Sequence, residues 1–225
     1  MMPTLDLKIV HGWWYPAADA FMANEMKADG SYQRSHLDAA LSYVTDFRCA
    51  IDGGAHVGTW SRILSGHFER VIAVEPSADT FAALHANMLQ FYCANVELHE
   101  AALGATAGRV SMVLDGRGLT LANTGARYVT PGGAIPRITI DSLAVPACGF
   151  LKLDVEGSEL QALQGAKETL ARCRPVVLFE DKRFGSRFGE ARDATPQFLT
   201  SVGYKHVLRS GCDEIWAPMS MGGRR

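Results

Sequence analysis

The chain has 225 residues, 48% of them hydrophobic, and a formal net charge of −2. That is enough for one domain with a substantial core, and it leaves no basic excess for strong nucleic-acid binding. No apolar run reaches the ~20 residues of a helical membrane span. Asp6, Lys8 and His11 interrupt the first apolar residues, so no signal-peptide core is expected, and the chain reads as cytoplasmic. The cysteines Cys49, Cys93, Cys148, Cys173 and Cys212 are odd in number and scattered, without a C-x-x-C pair. They read as free thiols rather than as a disulfide framework or zinc site.

Residues 1–45 are expected to cap the same domain, with Trp13-Trp14-Tyr15 packing over the sheet. From residue 46 to 221, short apolar runs alternate with helical patterns. Cys49-Ala50-Ile51-Asp52 reads as a strand, followed by a short helix over 59–67. Val71–Glu75 is a second strand, and Ser77 is the expected N-cap of a helix reaching Phe91. Asn95–His99 and Phe150–Val155 are further strands. A helix over Ser158–Cys173 is expected to open on a capping box of Ser158 and Gln161. Pro175–Glu180 is a fifth strand with proline at its first position. Tyr204–Leu208 and Asp213–Ala217 are too closely spaced for a parallel crossover and read as an antiparallel hairpin. Arg109–Leu114 and Ile135–Ile140 look like strands, and the glycine-rich stretch 115–134 between them reads as a lid or mobile segment. Residues 222–225 are expected to fray. The whole predicts an α/β, Rossmann-like fold: a mostly parallel seven-stranded sheet with helices on both faces and a C-terminal antiparallel hairpin.

In such a sheet, ligands bind beyond the carboxyl ends of the strands. The first strand runs into Asp52-Gly53-Gly54-Ala55-His56-Val57-Gly58. A dinucleotide fingerprint needs G-x-G-x-x-G. Ala55 breaks it when counted from Gly53, and His56 breaks it when counted from Gly54. The turn also starts with a carboxylate, ill suited to a phosphate and suited to an ammonium. D-x-G-x-x-x-G therefore fits S-adenosylmethionine better than NAD. Glu75, followed by Pro76, ends the second strand, where an acid can take both ribose hydroxyls. The third strand leads to Glu100-Ala101, where a small residue admits an adenine ring and Glu100 can face its amino group. Asp154, Glu156 and Glu180 end the fourth and fifth strands and are expected to converge on one cleft. Clustered carboxylates raise one another's pKa and can supply a general base. A divalent cation is the secondary option there, and no metal ligands are assigned.

The runs 51–58, 74–76 and 151–159, with Leu163-Gln164-Gly165-Ala166, resemble the FkbM family of methyltransferases over roughly residues 48 to 182. The most specific part is the K-x-D-x-E-G-x-E run from Lys152 to Glu159. The resemblance implies methyl transfer from S-adenosylmethionine to a hydroxyl oxygen, often on a sugar or secondary metabolite. It maps Asp52, Gly54 and Gly58 to the cofactor loop, Glu75 to the ribose and Asp154 with Glu156 to the acidic motif. The acceptor is not carried over.

On this reading Asp154 or Glu156 is the general base and Glu180 the reserve. Asp154 has a second role open to it, holding the methionine end of the donor. His56 and His99 read as structural. The rival readings are an RNA ribose 2′-O-methyltransferase using Asp154, Lys182 and Glu214, a non-catalytic S-adenosylmethionine-binding protein and an NAD-dependent oxidoreductase.

Overall fold

The computed structural model describes residues 6–20, 34–114, 123–182 and 184–219. The chain opens on an antiparallel hairpin, β1 (Leu7–Val10) and β2 (Trp13–Pro16), followed by helix α1 (Arg34–Leu41). Then β3 (Cys49–Gly53), α2 (Thr59–Ser65), β4 (Arg70–Val74), α3 (Ala78–Gln90) and β5 (Val96–His99) alternate. Strands β6 (Ala102–Leu103), β7 (Gly108–Leu114), β8 (Arg127–Pro131) and β9 (Ile135–Ile138) make a separate four-stranded sheet in the order β6-β9-β7-β8. The main sheet resumes with β10 (Phe150–Leu153), helices α4 (Glu159–Gln164) and α5 (Lys167–Cys173), and β11 (Val176–Glu180). It ends with α6 (Ala194–Ser201), β12 (Tyr204–Ser210) and β13 (Asp213–Pro218).

The main sheet has seven strands in the order β12-β13-β11-β10-β3-β4-β5. The five strands from β11 to β5 are parallel, and β13 and β12 add the antiparallel hairpin. Strand order reverses between β3 and β10, so the crevice for a ligand lies at their carboxyl ends. The two-residue side-chain period divides the buried strands between two cores. Ile51, Leu151, Leu153 and Val177 meet Leu163 and Leu170 on one face. Ala50, Phe150 and Leu178 meet Leu37, Trp60 and Leu64 on the other. By the same alternation Asp52 and Lys152, directly paired in register, belong to this second face.

Trp13 and Tyr15 are buried against Val57 and Ala83. Asn87 of α3 secures this hairpin. Its Oδ1 accepts the Trp14 N–H at 2.7 Å, and its Nδ2 donates to the Trp14 and Val57 carbonyls at 2.9 and 2.8 Å. The aromatic run thus packs against α3 and the turn after β3, beside the sheet.

Three expectations need correction. The helix expected over 158–173 is two helices, broken at Gly165-Ala166. A Cβ on Gly165 would stand 2.1 Å from the Gly104 carbonyl oxygen, so the chain passes the second sheet too closely for a side chain. Asp141 then caps the second helix, accepting the Glu168 and Thr169 N–H groups at 3.0 and 2.8 Å. The Ser158–Gln161 capping box does not form. Glu159 Oε1 instead accepts the Val155 and Gly157 N–H groups at 3.2 and 3.1 Å. In the stretch read as a lid, residues 123–134 are ordered as a 3₁₀ turn (Thr124–Ala126) and strand β8, which pairs with β7. Residues 115–122 and the expected fraying tail, 222–225, lie outside the described residues.

Replacing Gly165 by alanine is therefore expected to cost about 2 kcal/mol, through overpacking against a backbone oxygen. Thermal melts should show a midpoint lower by roughly 4–8 °C.

Candidate active site

The turn after β3 is shaped by close backbone contact. Gly54 has φ +73°, and a Cβ there would lie 1.8 Å from the Asp154 carbonyl oxygen, so β3 and β10 end against each other. His56 also has positive φ, 51°, a conformation unfavourable for a side-chain-bearing residue. Two bonds hold it there. Its N–H donates to Glu75 Oε2 at 2.9 Å, and its Nε2 lies 2.8 Å from Thr124 Oγ1. Glu75 Oε1 accepts Ser77 N–H and Thr80 Oγ1–H at 2.9 and 2.8 Å. The acid predicted for a ribose thus also ties β4 to the turn.

Below the turn lies an ion pair. Lys152 Nζ is 3.0 Å from Asp52 Oδ1 and donates to the Gly54 carbonyl oxygen at 2.8 Å. Ser61 Oγ donates to Asp52 Oδ2 at 2.6 Å. Asp52 is fully buried. Burial alone would drive a proton off Lys152, but Asp52 and Asp154 outweigh it and raise its pKa.

Above the turn a cavity of about 350 Å³ opens. Gly54, Ala55, His56, Glu75, Pro76 and Ala101 line one side, and Lys152, Asp154, Glu156, Ser158, Glu180, Lys182 and Phe184 the other. Its roof is the segment Asn123–Arg127, held by two clasps. Thr124 Oγ1 donates to the buried Asp19, and therefore accepts from His56 Nε2. Arg127 grips both oxygens of Asp79, at 2.5 and 2.8 Å. Burial opposes ionisation of Asp79, yet Arg127 and Ser77 hold its pKa down at about 2. Ser158 Oγ is buried in the cavity wall with no hydrogen-bond partner among the described residues.

Three carboxylates and one ammonium meet at the strand ends. Lys182 Nζ lies 2.7 Å from Glu156 Oε1, 2.7 Å from Glu180 Oε2 and 3.7 Å from Asp154 Oδ1. Burial and the neighbouring Asp154 push Glu180 up to about 9, so at neutral pH it keeps its proton and hydrogen-bonds Asp154. Burial would also raise Asp154, but Lys152 and Lys182 prevail and lower it. Burial raises Glu156 against the pull of Lys182. Burial would lower Lys182, but the three carboxylates raise its pKa. The carboxylate oxygens approach within 4.8 Å of one another, close enough to bind a metal ion. The Lys182 ammonium already supplies the compensating charge at that point, so the residues as arranged do not fit a divalent cation.

The structure thus brings together Asp154, Glu156 and Glu180, and places Gly54, Ala55, His56, Glu75, Pro76 and Ala101 on the cavity. Asp52, Gly53, Gly58 and Glu100 do not line it. Asp52 is occupied by Lys152 beneath the turn, and Glu100 points to solvent, away from the adenine role expected for it. Gly53 packs against Leu103 and Leu153, and Gly58, at φ +91°, caps α2. His99 pairs with Glu97 at the surface. Glu214, named with Asp154 and Lys182 for a ribose enzyme, instead pairs with His206 and Arg209. Thr124, Arg127, Ser158 and Phe184 were not foreseen. They come from a glycine-rich stretch, from a presumed cap and from beyond the last strand motif, where no local pattern marks a cavity wall.

A parallel sheet with a terminal antiparallel hairpin and a ligand cavity at its switch point defines the class I S-adenosylmethionine-dependent methyltransferase fold. The methyltransferase FkbM domain model matches residues 52–206, and the chain belongs to that family. No curated protein matches by sequence. The structure is similar to methyltransferase FkbM from Methylobacillus flagellatus KT, at 21% identity and TM-score 0.50, covering 76% of this chain and 43% of that one. This chain thus spans less than half of that protein. It is also similar to the putative methyltransferase yhhF from Escherichia coli, at 11% identity and TM-score 0.50, covering 93% and 94% of the two chains. Among the described residues no helix is long and apolar enough to cross a membrane.

The raised carboxyl of Glu180 has a consequence for stability. A folded-state pKa above the unfolded value means the folded chain binds that proton more tightly. The resulting stabilisation is complete below the ordinary glutamate pKa and is lost as pH rises toward about 9. Glu159, pushed up to about 7 by burial, adds loss in the lower half of that window. Melting temperatures measured from pH 5 to 9 should fall steadily, and Glu180→Gln should flatten the decline.

Proposed function

We propose that this chain transfers the methyl group of S-adenosylmethionine to a hydroxyl oxygen of a sugar, glycan or small metabolite. The observation that carries this reading is the Asp154–Glu156–Glu180–Lys182 cluster, on the same cavity as the glycine turn. The hydroxyl as acceptor atom is what the FkbM resemblance implies. Gly54, Ala55, His56, Glu75, Pro76 and Ala101 would hold the donor, with Glu75 toward the ribose and Ala101 leaving room for the adenine. Bound there, S-adenosylmethionine supplies a methyl group already activated on a sulfonium.

The protein then has to align the acceptor oxygen and receive its proton. Alignment is worth roughly 7–11 kcal/mol in favourable cases. Asp154 is assigned as the base, since Lys152 and Lys182 keep it ionised. Glu180, protonated, donates a hydrogen bond to Asp154 and orients it. The acceptor's proton passes to Asp154 as its oxygen bonds to the methyl carbon and the carbon–sulfur bond breaks. Lys182 offsets the charge of the cluster throughout. Glu156, in direct contact with Lys182, positions that ammonium.

Asp154→Asn is expected to lower kcat about 10²–10⁴-fold, while S-adenosylhomocysteine still binds by calorimetry. Glu180→Gln preserves a neutral donor and should retain most activity at pH 7. A loss on Glu180→Gln as large as that on Asp154→Asn, or a rate unaffected by Asp154→Asn, would contradict this division of roles. Chelation with EDTA should leave the rate unchanged, because Lys182 occupies the position a cation would need.

A further inference from the structure

The cavity wall that carries the carboxylates also carries a hydroxyl with nothing to bond. Ser158 is 1% exposed, and its Oγ has no hydrogen-bond partner among the described residues. Leaving a buried polar group unpaired is costly, and each such group calls for a reason. Tyr15, Asp52, Tyr204 and Trp216 hold the other atoms of this kind among the described residues, and none of the four lines the cavity. Ser158 does.

The fold makes no use of this hydroxyl. Ser158 stands just before α4, where serine ordinarily caps a helix, yet its side chain makes no capping bond. Its backbone, by contrast, is engaged. The Ser158 N–H donates to the Val155 carbonyl oxygen at 3.3 Å, and the Ser158 carbonyl oxygen accepts the Ala162 N–H at 2.9 Å. Gly157, at φ +105°, brings the turn so close to Phe184 that a Cβ would lie 2.8 Å from the Phe184 carbonyl oxygen. The residue is thus held in place, and its hydroxyl alone turns, among three staggered rotamers. The charged groups of the same wall hold one another: Lys182 contacts Glu156 and Glu180, and Glu180 bonds Asp154. A neutral hydroxyl both donates and accepts, which matches it to a hydroxyl of the ligand.

We infer that Ser158 is a specificity-determining residue for the acceptor: its Oγ binds a second hydroxyl, next to the one that gives its proton to Asp154. Asp154 and Ser158 belong to one short strand-to-helix turn on the cavity wall, so the two oxygens they hold lie close together on the acceptor. The inference rests on the methyltransferase reading and narrows its substrate class from any hydroxylated molecule to a vicinal diol.

The test uses the full chain saturated with S-adenosylhomocysteine, titrated with cyclohexane-1,2-diol (cis and trans isomers separately) and with cyclohexanol, and followed by ¹H–¹⁵N NMR. The better diol isomer is expected to shift the amides of Gly157 and Ser158 and to bind at least about fivefold more tightly than cyclohexanol. Ser158→Ala should erase that preference to within about twofold. Ser158→Cys, which keeps the size of the side chain but supplies only a weak donor, should erase it as well. The unliganded Ser158→Ala chain should melt no lower than the natural one, since an unpaired buried polar atom has been removed. Equal binding of diol and cyclohexanol, no shift at this turn with either isomer, or a preference that survives both substitutions would each overturn the inference. So would a lower melting temperature, which would give the hydroxyl to the fold, or a loss of S-adenosylhomocysteine affinity by calorimetry as large as that of the diol, which would give it to the donor. Failure of S-adenosylhomocysteine to bind the natural chain at all would instead overturn the methyltransferase reading beneath it.

Discussion

The Lys152 ammonium sits under the glycine turn, 3.0 Å from Asp52 Oδ1 and 2.8 Å from the Gly54 carbonyl oxygen. Its side chain is 6% exposed and that of Asp52 is 0% exposed. An ion pair so placed gains little over a hydrophobic pair in net stability, but losing one partner strands a buried charge, at a cost of about 3–5 kcal/mol. The pair joins neighbouring residues of β3 and β10, the two strands between which sheet order reverses. It therefore fixes the Gly54 backbone against the end of β10. The same ammonium helps keep Asp154 ionised on the cavity side. One buried cation thus sets both the shape of the glycine turn and the charge state of the proposed base.

The rest of the site is built outward from that point. Lys182 answers the carboxylates on one flank. On the other, His56 and Arg127 bind the roof segment to the turn and to the start of α3. Asp19, from the segment after β2, reaches the same roof through Thr124. Segments more than a hundred residues apart in sequence thereby close over one cavity, and the roof is a hydrogen-bonded extension of the turn.

Much of this was legible in the sequence. Continuous apolar strands such as Val71–Val74 and Val176–Phe179 can only be sheet buried on both faces, and their terminal acids mark the ligand end. The cluster of Asp154, Glu156 and Glu180 follows from that rule alone. What was not legible depended on contacts between segments. Asp52 looked like a ligand group because its partner, Lys152, is a hundred residues away. Gly165 looked like an ordinary helical position because the Gly104 carbonyl oxygen that excludes a side chain belongs to a distant segment, the residue just after β6. The roof was hidden in a glycine-rich stretch, where composition suggests mobility and only the pairing of β8 with β7 supplies order.

A double-mutant cycle on Lys152→Met and Asp52→Asn, read by thermal melting and by calorimetric titration with S-adenosylhomocysteine, tests the central role of this pair most directly. Lys152→Met alone should lower the melting temperature and weaken S-adenosylhomocysteine at least tenfold. Adding Asp52→Asn should restore part of the lost stability, since the stranded carboxylate is removed, giving a coupling of about 1 kcal/mol or more. Additive effects of the two substitutions, with S-adenosylhomocysteine affinity unchanged, would contradict the account.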